Sequence, residues 1–548
     1  MLACVGLLGL SACANGPGQP SQVACERLGE VLHKLHPNSD LTLLKRHRAD
    51  GPALPEYCQV QGRLNPRQGQ DGRAYAIGFE LRLPFEWNGR FLHQANGGTD
   101  GVLKPALGEL AVHEKTALSQ GFVVLSSDGG HRADDPANAD DGLARGVVFG
   151  QDPQARRDFA HTAIDALWPL AQGLITQHYG QKPRHNYLAG CGNGGRLAMV
   201  AASRYPERYD GILAGAPALH WPRAALQHAW DAQAWQRVSA DSRQALSPSD
   251  MRLIADKVVA RCDALDMVVD GMVGDLRRCQ QAFRLVDLQC TGAKTASCLS
   301  AAQVQALGQV FIGPHSSRGE ALYTDWLFDA GLATASWRAW RLESNIEGWG
   351  RYPVAATIGA ASLANLFSTP PLPVAGSVPE LQAFLSDYNF DAGADHMRHP
   401  SALRYSPPDV DAPTLAAFAG RGGRMIVYHG ASDPAFSIQA TLTWAEKLQS
   451  HWGLAKAQTL ARVFAVPGMG HCRGGPATDR FDALGALVAW VEQGHAPEQL
   501  LASATPGNPD WPKAWPTQRT RPLCPWPRTA RYAGGDVDLA ASFRCVMP

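Results

Sequence analysis

The chain has 548 residues, 45% of them hydrophobic, and its 50 Lys and Arg are balanced by 50 Asp and Glu. That length exceeds one ordinary core and implies one large domain with a substantial insertion, or two to three domains. A formal charge of zero with no like-charge run argues against nucleic-acid binding and against a polybasic membrane patch.

Met1 to Ala12 is short and apolar, and Leu10-Ser11-Ala12-Cys13 has the small-residue form of a bacterial lipoprotein signal. It is too short to cross a bilayer and reads as the h-region of a leader over 1–13, either lipidated at Cys13 or simply cleaved. The expectation is export, to the periplasm, the outer membrane or the medium. Cysteine usage agrees. Cys4 and Cys13 fall in the leader, which leaves Cys25, Cys58, Cys191, Cys262, Cys279, Cys290, Cys298, Cys472, Cys524 and Cys545. An even number in an exported chain is most simply a set of disulfides, and none has the CxxC spacing of a zinc or thioredoxin-type site. Spacing alone does not fix connectivity. Close neighbours suggest Cys25 with Cys58, Cys262 with Cys279, Cys290 with Cys298 and Cys524 with Cys545, leaving Cys191 with Cys472.

From Ala74 to His220 apolar β-type runs alternate with helical patterns. Arg90 to Ala95 reads as a strand entering the turn Asn96-Gly97-Gly98, and Gly121 to Asp128 as a second strand with a polar end. Phe159 to Tyr179 has apolar positions at helical spacing (Ala163, Leu167, Leu170, Leu174). Asn186 to Ala189 is a short strand running into Gly190, Leu197 to Tyr205 is helical, and Asp210 to Pro217 is another strand and turn. Such alternation implies a mostly parallel sheet covered on both faces.

After Pro217 the rhythm breaks. The next stretch holds Trp-rich helical pieces, two cysteine pairs and loops such as Ser368-Thr369-Pro370-Pro371-Leu372-Pro373. It resumes with a strand at Arg424 to Gly430, a helix at Ile438 to Leu448 and a strand at Ala461 to Val466. The economical organisation is one α/β domain in two parts, 20–219 and 412–548, interrupted by an insertion over 220–411.

Gly190-Cys191-Gly192-Asn193-Gly194-Gly195 lies between a strand and a helix, the mechanical form of a nucleophile elbow. A Gly-rich strand–helix turn is weak alone, but the Lys-Ser/Thr ending of a P-loop and the dinucleotide fingerprint are both absent. The downstream partners strengthen it, because α/β-hydrolases follow the order nucleophile, acid, histidine. Asp433, in His429-Gly430-Ala431-Ser432-Asp433-Pro434, falls just past a strand end. His471, in Pro467-Gly468-Met469-Gly470-His471-Cys472, falls in a Gly-rich loop after the next strand. His471 suits a general base and then acid, with Asp433 holding its tautomer.

On these residues the chain resembles the tannase/feruloyl-esterase family of α/β-hydrolases. The likeness extends through Trp87-Asn88-Gly89-Arg90-Phe91, Asn96-Gly97-Gly98, Arg196, and Tyr205-Pro206-Glu207-Arg208-Tyr209-Asp210 to Pro217. It implies an α/β-hydrolase fold with a large lid domain inserted after the half that carries the elbow. It also implies hydrolysis of small aromatic (phenolic) acid esters, with no organic cofactor. The family elbow reads Gly-Cys-Ser-x-Gly-Gly, so Gly192 stands at the position of the nucleophile. The family joins its elbow cysteine to the one after the histidine, here Cys191 to Cys472. The oxyanion hole would use the main-chain N–H of Asn193 and one from the Gly97-Gly98 turn, given to Gly98.

Between Cys262 and Cys279, Asp263, Asp266 and Asp270, with main-chain oxygens of Val268 and Met272, offer alternating oxygen donors on a Gly-containing loop. That donor set suits Ca²⁺, and the twelfth-position Glu of an EF-hand is missing. By the resemblance, such a loop in the lid holds a structural calcium.

Glycine supplies no nucleophile. Cys191 is a poor substitute, and Ser126, Ser127 and Ser432 near strand ends occupy no elbow. Loss of a triad serine typically removes around six orders of magnitude in turnover. Three readings follow: a family esterase carrying a Ser→Gly change, a natural protein that binds aromatic or phenolic esters without turnover, or slow hydrolysis by a water that His471 activates directly in the space at Gly192, with no acyl-enzyme. Arg338 and Arg341 are candidates to meet a substrate carboxylate, with the surface the more ordinary place for both.

Overall fold

The structure, a computed structural model, describes residues 23–51, 54–109, 115–372, 374–398 and 410–548. The leader, with its candidate lipid site at Cys13, lies outside the described residues. A nine-stranded sheet runs β1 (Ser39–His47), β2 (Tyr57–Gln68), β3 (Ala74–Pro84), β5 (Val123–Ser127), β4 (Arg90–Ala95), β6 (His185–Cys191), β7 (Gly211–Gly215), β8 (Arg424–Gly430) and β9 (Ala461–Val466). The pairs from β1 to β5 are antiparallel, and every pair from β5 through β4 to β9 is parallel.

The parallel half follows from runs such as Val123-Val124-Leu125 and Met425-Ile426-Val427-Tyr428, apolar at every position because both sheet faces are covered. The strand alternation splits the interior in two. Leu188, Ile212, Met425 and Val427 join one buried cluster, under the helices Ala163–Tyr179 and Asn193–Arg204. Tyr187, Leu213, Ile426 and Tyr428 join the other, with Leu484, Leu487 and Trp490 of the helix Ala483–Gln493. No helix of the described residues is long and apolar enough to cross a membrane.

Residues 216–423 are inserted between β7 and β8, which are adjacent strands. Their helices, among them Trp221–Gln236, Pro248–Cys262 and Ala301–Ile312, share the first cluster through Trp221, Trp235, Ile254 and Leu307. The segment is thus packed onto the main body.

The sequence misplaces some boundaries. The helix after the elbow starts at Asn193, four residues before Leu197, because Gly194 and Gly195 let its first turn pack against Ala95 O and Gly215 O at the ends of β4 and β7. The helix expected from Phe159 opens with a π turn over Asp158–Thr162. Strands β1 and β2 and two C-terminal hairpins, Leu500–Ser503 with Thr520–Leu523 and Thr529–Tyr532 with Phe543–Val546, lie outside the sequence expectation. All five disulfides pair as anticipated, and Cys191–Cys472 spans 281 residues.

Candidate active site

Strand β6 ends at Cys191 and the helix begins at Asn193. Gly192 bridges them with φ 62° and ψ −117°, a conformation that L side chains adopt only under strain. The elbow is held by three main-chain bonds. Gly192 N–H donates to Gly215 O (3.0 Å), while Gly192 O accepts from Arg196 N–H (3.0 Å) and Ala218 N–H (3.1 Å). Gly194 permits the close approach of the neighbouring turn, since a Cβ there would sit 2.2 Å from Ala95 O.

A Cβ built on Gly192 would lie 2.9 Å from Nε2 and 3.2 Å from Cε1 of His471. The imidazole edge that would accept a nucleophile's proton therefore faces the α-carbon of the elbow residue. On its other side, His471 Nδ1–H donates to Asp433 Oδ2 at 2.7 Å. Asp433 is fully buried, while His471 keeps 27% of its side chain exposed. The second carboxylate oxygen of Asp433 accepts the N–H groups of Ala435 (2.7 Å) and Phe436 (3.1 Å), and His429 Nε2 stands 3.2 Å from Oδ2.

These contacts decide the protonation. Burial pushes Asp433 up, but the charge and hydrogen bond of His471, with those of His429, outweigh it and hold the carboxyl well below the usual range. Burial pulls His471 down, but Asp433 outweighs it and raises the imidazole above its ordinary value. The pair is a fixed carboxylate beside a base that holds its proton more tightly than a free imidazole. The Cys191–Cys472 disulfide, with Cα atoms 6.1 Å apart, ties the residue before Gly192 to the residue after His471.

The Asn96–Gly98 turn packs against the elbow, where a Cβ on Gly97 would meet Cys191 O at 3.1 Å, and Gly98 has φ 65°. Asn96 Nδ2 donates to Ser127 O (2.6 Å) and Ser126 Oγ (3.1 Å), which locks the turn to β5. Asn193 opens the helix, so its N–H has no intrahelical partner. Its fully buried side chain accepts from Arg196 Nη2 (2.7 Å) and donates from Nδ2 to Asp100 Oδ2 (2.9 Å). The sequence did not single out Asp100; its partner lies 93 residues away.

The walls are aromatic. Trp340 and Phe436 lie 6.2 and 5.6 Å from the His471 ring, and Trp221 stands edge-on to Phe436 at 5.6 Å. None of the nearby serines replaces the missing hydroxyl. Ser126 is buried against Asn96, and Ser432 donates to Asp329 Oδ2 at 2.7 Å. Neither candidate arginine lies free at the surface. Arg341 is 2% exposed, paired with Asp231 at 2.7 Å and stacked 3.7 Å over Trp326, so it is a core residue. Arg338 is engaged by Glu343 at 2.7 Å.

The three carboxylates of the acidic loop are buried too, while Met267 and Val269 between them are exposed. Asp263 accepts the N–H groups of Asp270 and Gly271 (2.9 Å each), Asp266 that of Val268 (3.3 Å), and Asp270 that of Met272 (3.0 Å). Asp270 also pairs with Arg521. Burial, with the charges of Asp270 and Asp263, pushes Asp266 up to about 7. Of the three carboxylates only Asp270 meets a guanidinium, and Arg519 donates to its main-chain oxygen at 2.8 Å; carboxylate and main-chain oxygens are the ligand type that a hard divalent cation takes. Among the described residues no three acidic, His or Cys side chains converge at metal-binding distance.

Residues 58–546 match the family model for tannase and feruloyl esterase. The chain belongs to that family. It is 39% identical over 533 residues to the mono(2-hydroxyethyl) terephthalate hydrolase of Piscinibacter sakaiensis, covering 91% of this chain and 86% of the relative. It is 29% identical to a probable feruloyl esterase of Arthroderma benhamiae, covering 85% and 81%. The crystal structure of feruloyl esterase B from Aspergillus oryzae superposes with a TM-score of 0.75 at 20% identity, over 95% of this chain and 99% of that one. As a member of the tannase and feruloyl esterase family the chain is by descent a carboxylic ester hydrolase with a mostly parallel central sheet.

Proposed function

We propose that this chain is an aromatic-ester hydrolase scaffold whose nucleophile position is Gly192, with His471 as acid–base and Asp433 as its orienting carboxylate. The observation that carries the reading is the placement of His471: Nδ1 on Asp433 at 2.7 Å, and Nε2 at 2.9 Å from a Cβ on Gly192. A hydroxyl on that Cβ would lie between the base and the ester carbonyl, and the N–H groups of Asn193 and Gly98 would receive the developing oxyanion. Donors of that kind are worth roughly 3–4 kcal/mol each. With glycine in place the chain binds aromatic esters and turns them over little or not at all. Trp340, Phe436 and Trp221 favour planar acyl groups, and the inserted helical segment acts as the lid.

Asp263, Asp266 and Asp270, with the Val268 and Met272 carbonyls, would hold a structural Ca²⁺ far from the chemistry. Five disulfides fit an oxidising compartment and an exported protein. The test compares the chain with Gly192→Ser on gallate, ferulate and terephthalate monoesters. Gain of hydrolysis supports the reading, and no hydrolysis of any of them by the variant defeats it.

A further inference from the structure

The two loops that carry Asp433 and His471 share one buried anchor outside the sheet. Asp329 belongs to the inserted segment and is fully buried. Its Oδ2 accepts Ser432 Oγ–H at 2.7 Å and Gly468 N–H at 2.8 Å. Ser432 is the residue before Asp433, and Gly468 lies three residues before His471. Ser432 Oγ in turn accepts Gly331 N–H at 2.9 Å, and Ser432 N–H donates to Met469 O at 3.0 Å. From the far side of the acid loop Arg341, also in the inserted segment, donates Nε–H to Pro434 O at 3.1 Å. The residues flanking Asp433 are thus both gripped by the insertion, and one carboxylate oxygen spans the acid and base loops. A buried carboxylate is costly, and Oδ1 of Asp329 has no hydrogen-bond partner. A residue needed only to fill this space would be cheaper as a hydrocarbon.

We propose that Asp329 is a positioning residue: by bridging Ser432 and Gly468 it sets the distance and angle between Asp433 and His471. The inserted segment is then part of the catalytic frame, and lifting it away from Ser432 loosens the pair. This rests on the reading of Asp433 and His471 as a catalytic pair, and the two ideas fail separately.

The test uses the chain as it stands, with ¹⁵N-labelled histidines and the His471 signals assigned by His471→Gln. Asp329→Ala is expected to move the His471 titration down toward the ordinary histidine value and to weaken its downfield Nδ1–H resonance. Asp329→Asn keeps an acceptor oxygen at the Oδ2 position and is expected to restore both. Should Asp329→Ala fail to fold, Ser432→Ala removes one of the two donors and is expected to shift His471 the same way by less. In a Gly192→Ser background, Asp329→Ala is expected to lower kcat by up to about 10²-fold at constant KM, the usual penalty for a misplaced catalytic group. A lowered Tm with an unmoved His471 titration in both variants overturns the proposal. If Gly192→Ser is inactive yet the titration still moves, the esterase reading fails and the positioning role stands. If that variant is active and Asp329→Ala changes neither titration nor kcat, the reverse holds.

Discussion

Gly192→Ser is the perturbation on which most depends, and the structure sets both sides of its effect. On the cost side, Gly192 holds φ 62° and ψ −117°, and a side chain there costs about 1–3 kcal/mol of backbone strain. Roughly 0.4–1 kcal/mol returns because serine has less freedom than glycine in the unfolded chain. The new Cβ would meet His471 Nε2 at 2.9 Å. The ring must therefore retreat by about half an ångström or more to reach ordinary contact. It can do so, as the far end of a side chain that is 27% exposed. The net loss is about 1–2 kcal/mol, and at about 2.1 cal/mol/K per residue a chain of 548 residues shifts its Tm by only ~1–2 °C. On the gain side, a restored nucleophile is worth about six orders of magnitude in turnover. That is about 8 kcal/mol in the barrier. The assay is initial-rate hydrolysis of aromatic monoesters by both proteins, with mass spectrometry of the elbow peptide after treatment with an aryl phosphonate. A folded variant that neither hydrolyses these esters nor carries an adduct at position 192 would refute the reasoning.

In the Gly192→Ser variant, kcat/KM should rise with pH through a value above 6.5, because Asp433 raises His471 and only the neutral imidazole serves as base. For stability the signs are opposite. The His471 contribution is full below 6.5 and fades as pH rises through its higher folded value, while that of Asp433 is full above 3.8 and is lost as pH falls through its depressed one. Urea titrations of the parent chain and of Asp433→Asn across pH check this; a profile unaffected by that substitution contradicts it. Calcium at a hundred times its Kd should stabilise the protein by about 2.7 kcal/mol, removable by EGTA and absent in Asp263→Asn; equal Tm with and without chelator sinks the site. Replacing Cys191 and Cys472 by alanine opens a link across 281 residues and should cost about 5–6 kcal/mol, read by denaturant unfolding. The unaltered chain should bind an uncleaved aromatic monoester in calorimetry. Its Kd should survive His471→Ala but weaken by about 2- to 13-fold in Trp340→Ala, the worth of one aromatic contact at ~0.5–1.5 kcal/mol; equal affinity in the latter excludes Trp340 from the wall.

What was legible in the sequence was local. β4, β8 and β9 have the bounds their apolar runs indicate, because strands buried on both faces need no alternation to be seen. The edge strand Ser39–His47 stays mostly in solvent, so its polar composition hid it. The elbow and the His471 loop were visible because tight turns demand glycine at fixed places. The acidic loop was visible because its oxygen donors all fall in the short stretch from Asp263 to Met272. The arrangement around these features was not. Arg341 pairs with Asp231 across 110 residues, and Asp329 reaches Ser432 and Gly468 across 103 and 139. No spacing rule encodes such contacts, and a charged residue in a Trp-rich stretch has the composition of a surface one until its partner is known.

The three positions of the candidate triad differ sharply in what their loss costs the fold. Asp433 is fully buried and holds two main-chain N–H groups and two imidazoles. Removing it leaves His471 paired with nothing, and breaking a buried pair costs about 3–5 kcal/mol. Removing His471 costs Asp433 its closest partner but leaves His429 and the N–H groups of Ala435 and Phe436 on the carboxylate. Position 192 is the exception: its backbone favours glycine, and its side chain anchors nothing else. Glycine in place of serine there gives a small gain in stability and asks only a shift of the His471 ring tip from its surroundings. Folding stability therefore draws on Asp433, His471 and the Cys191–Cys472 link whether or not an ester bond is cut, whereas a hydroxyl at position 192 adds nothing to it. On the proposed reading, glycine at position 192 leaves the rest of the site standing, and Gly192→Ser is the substitution expected to supply the nucleophile.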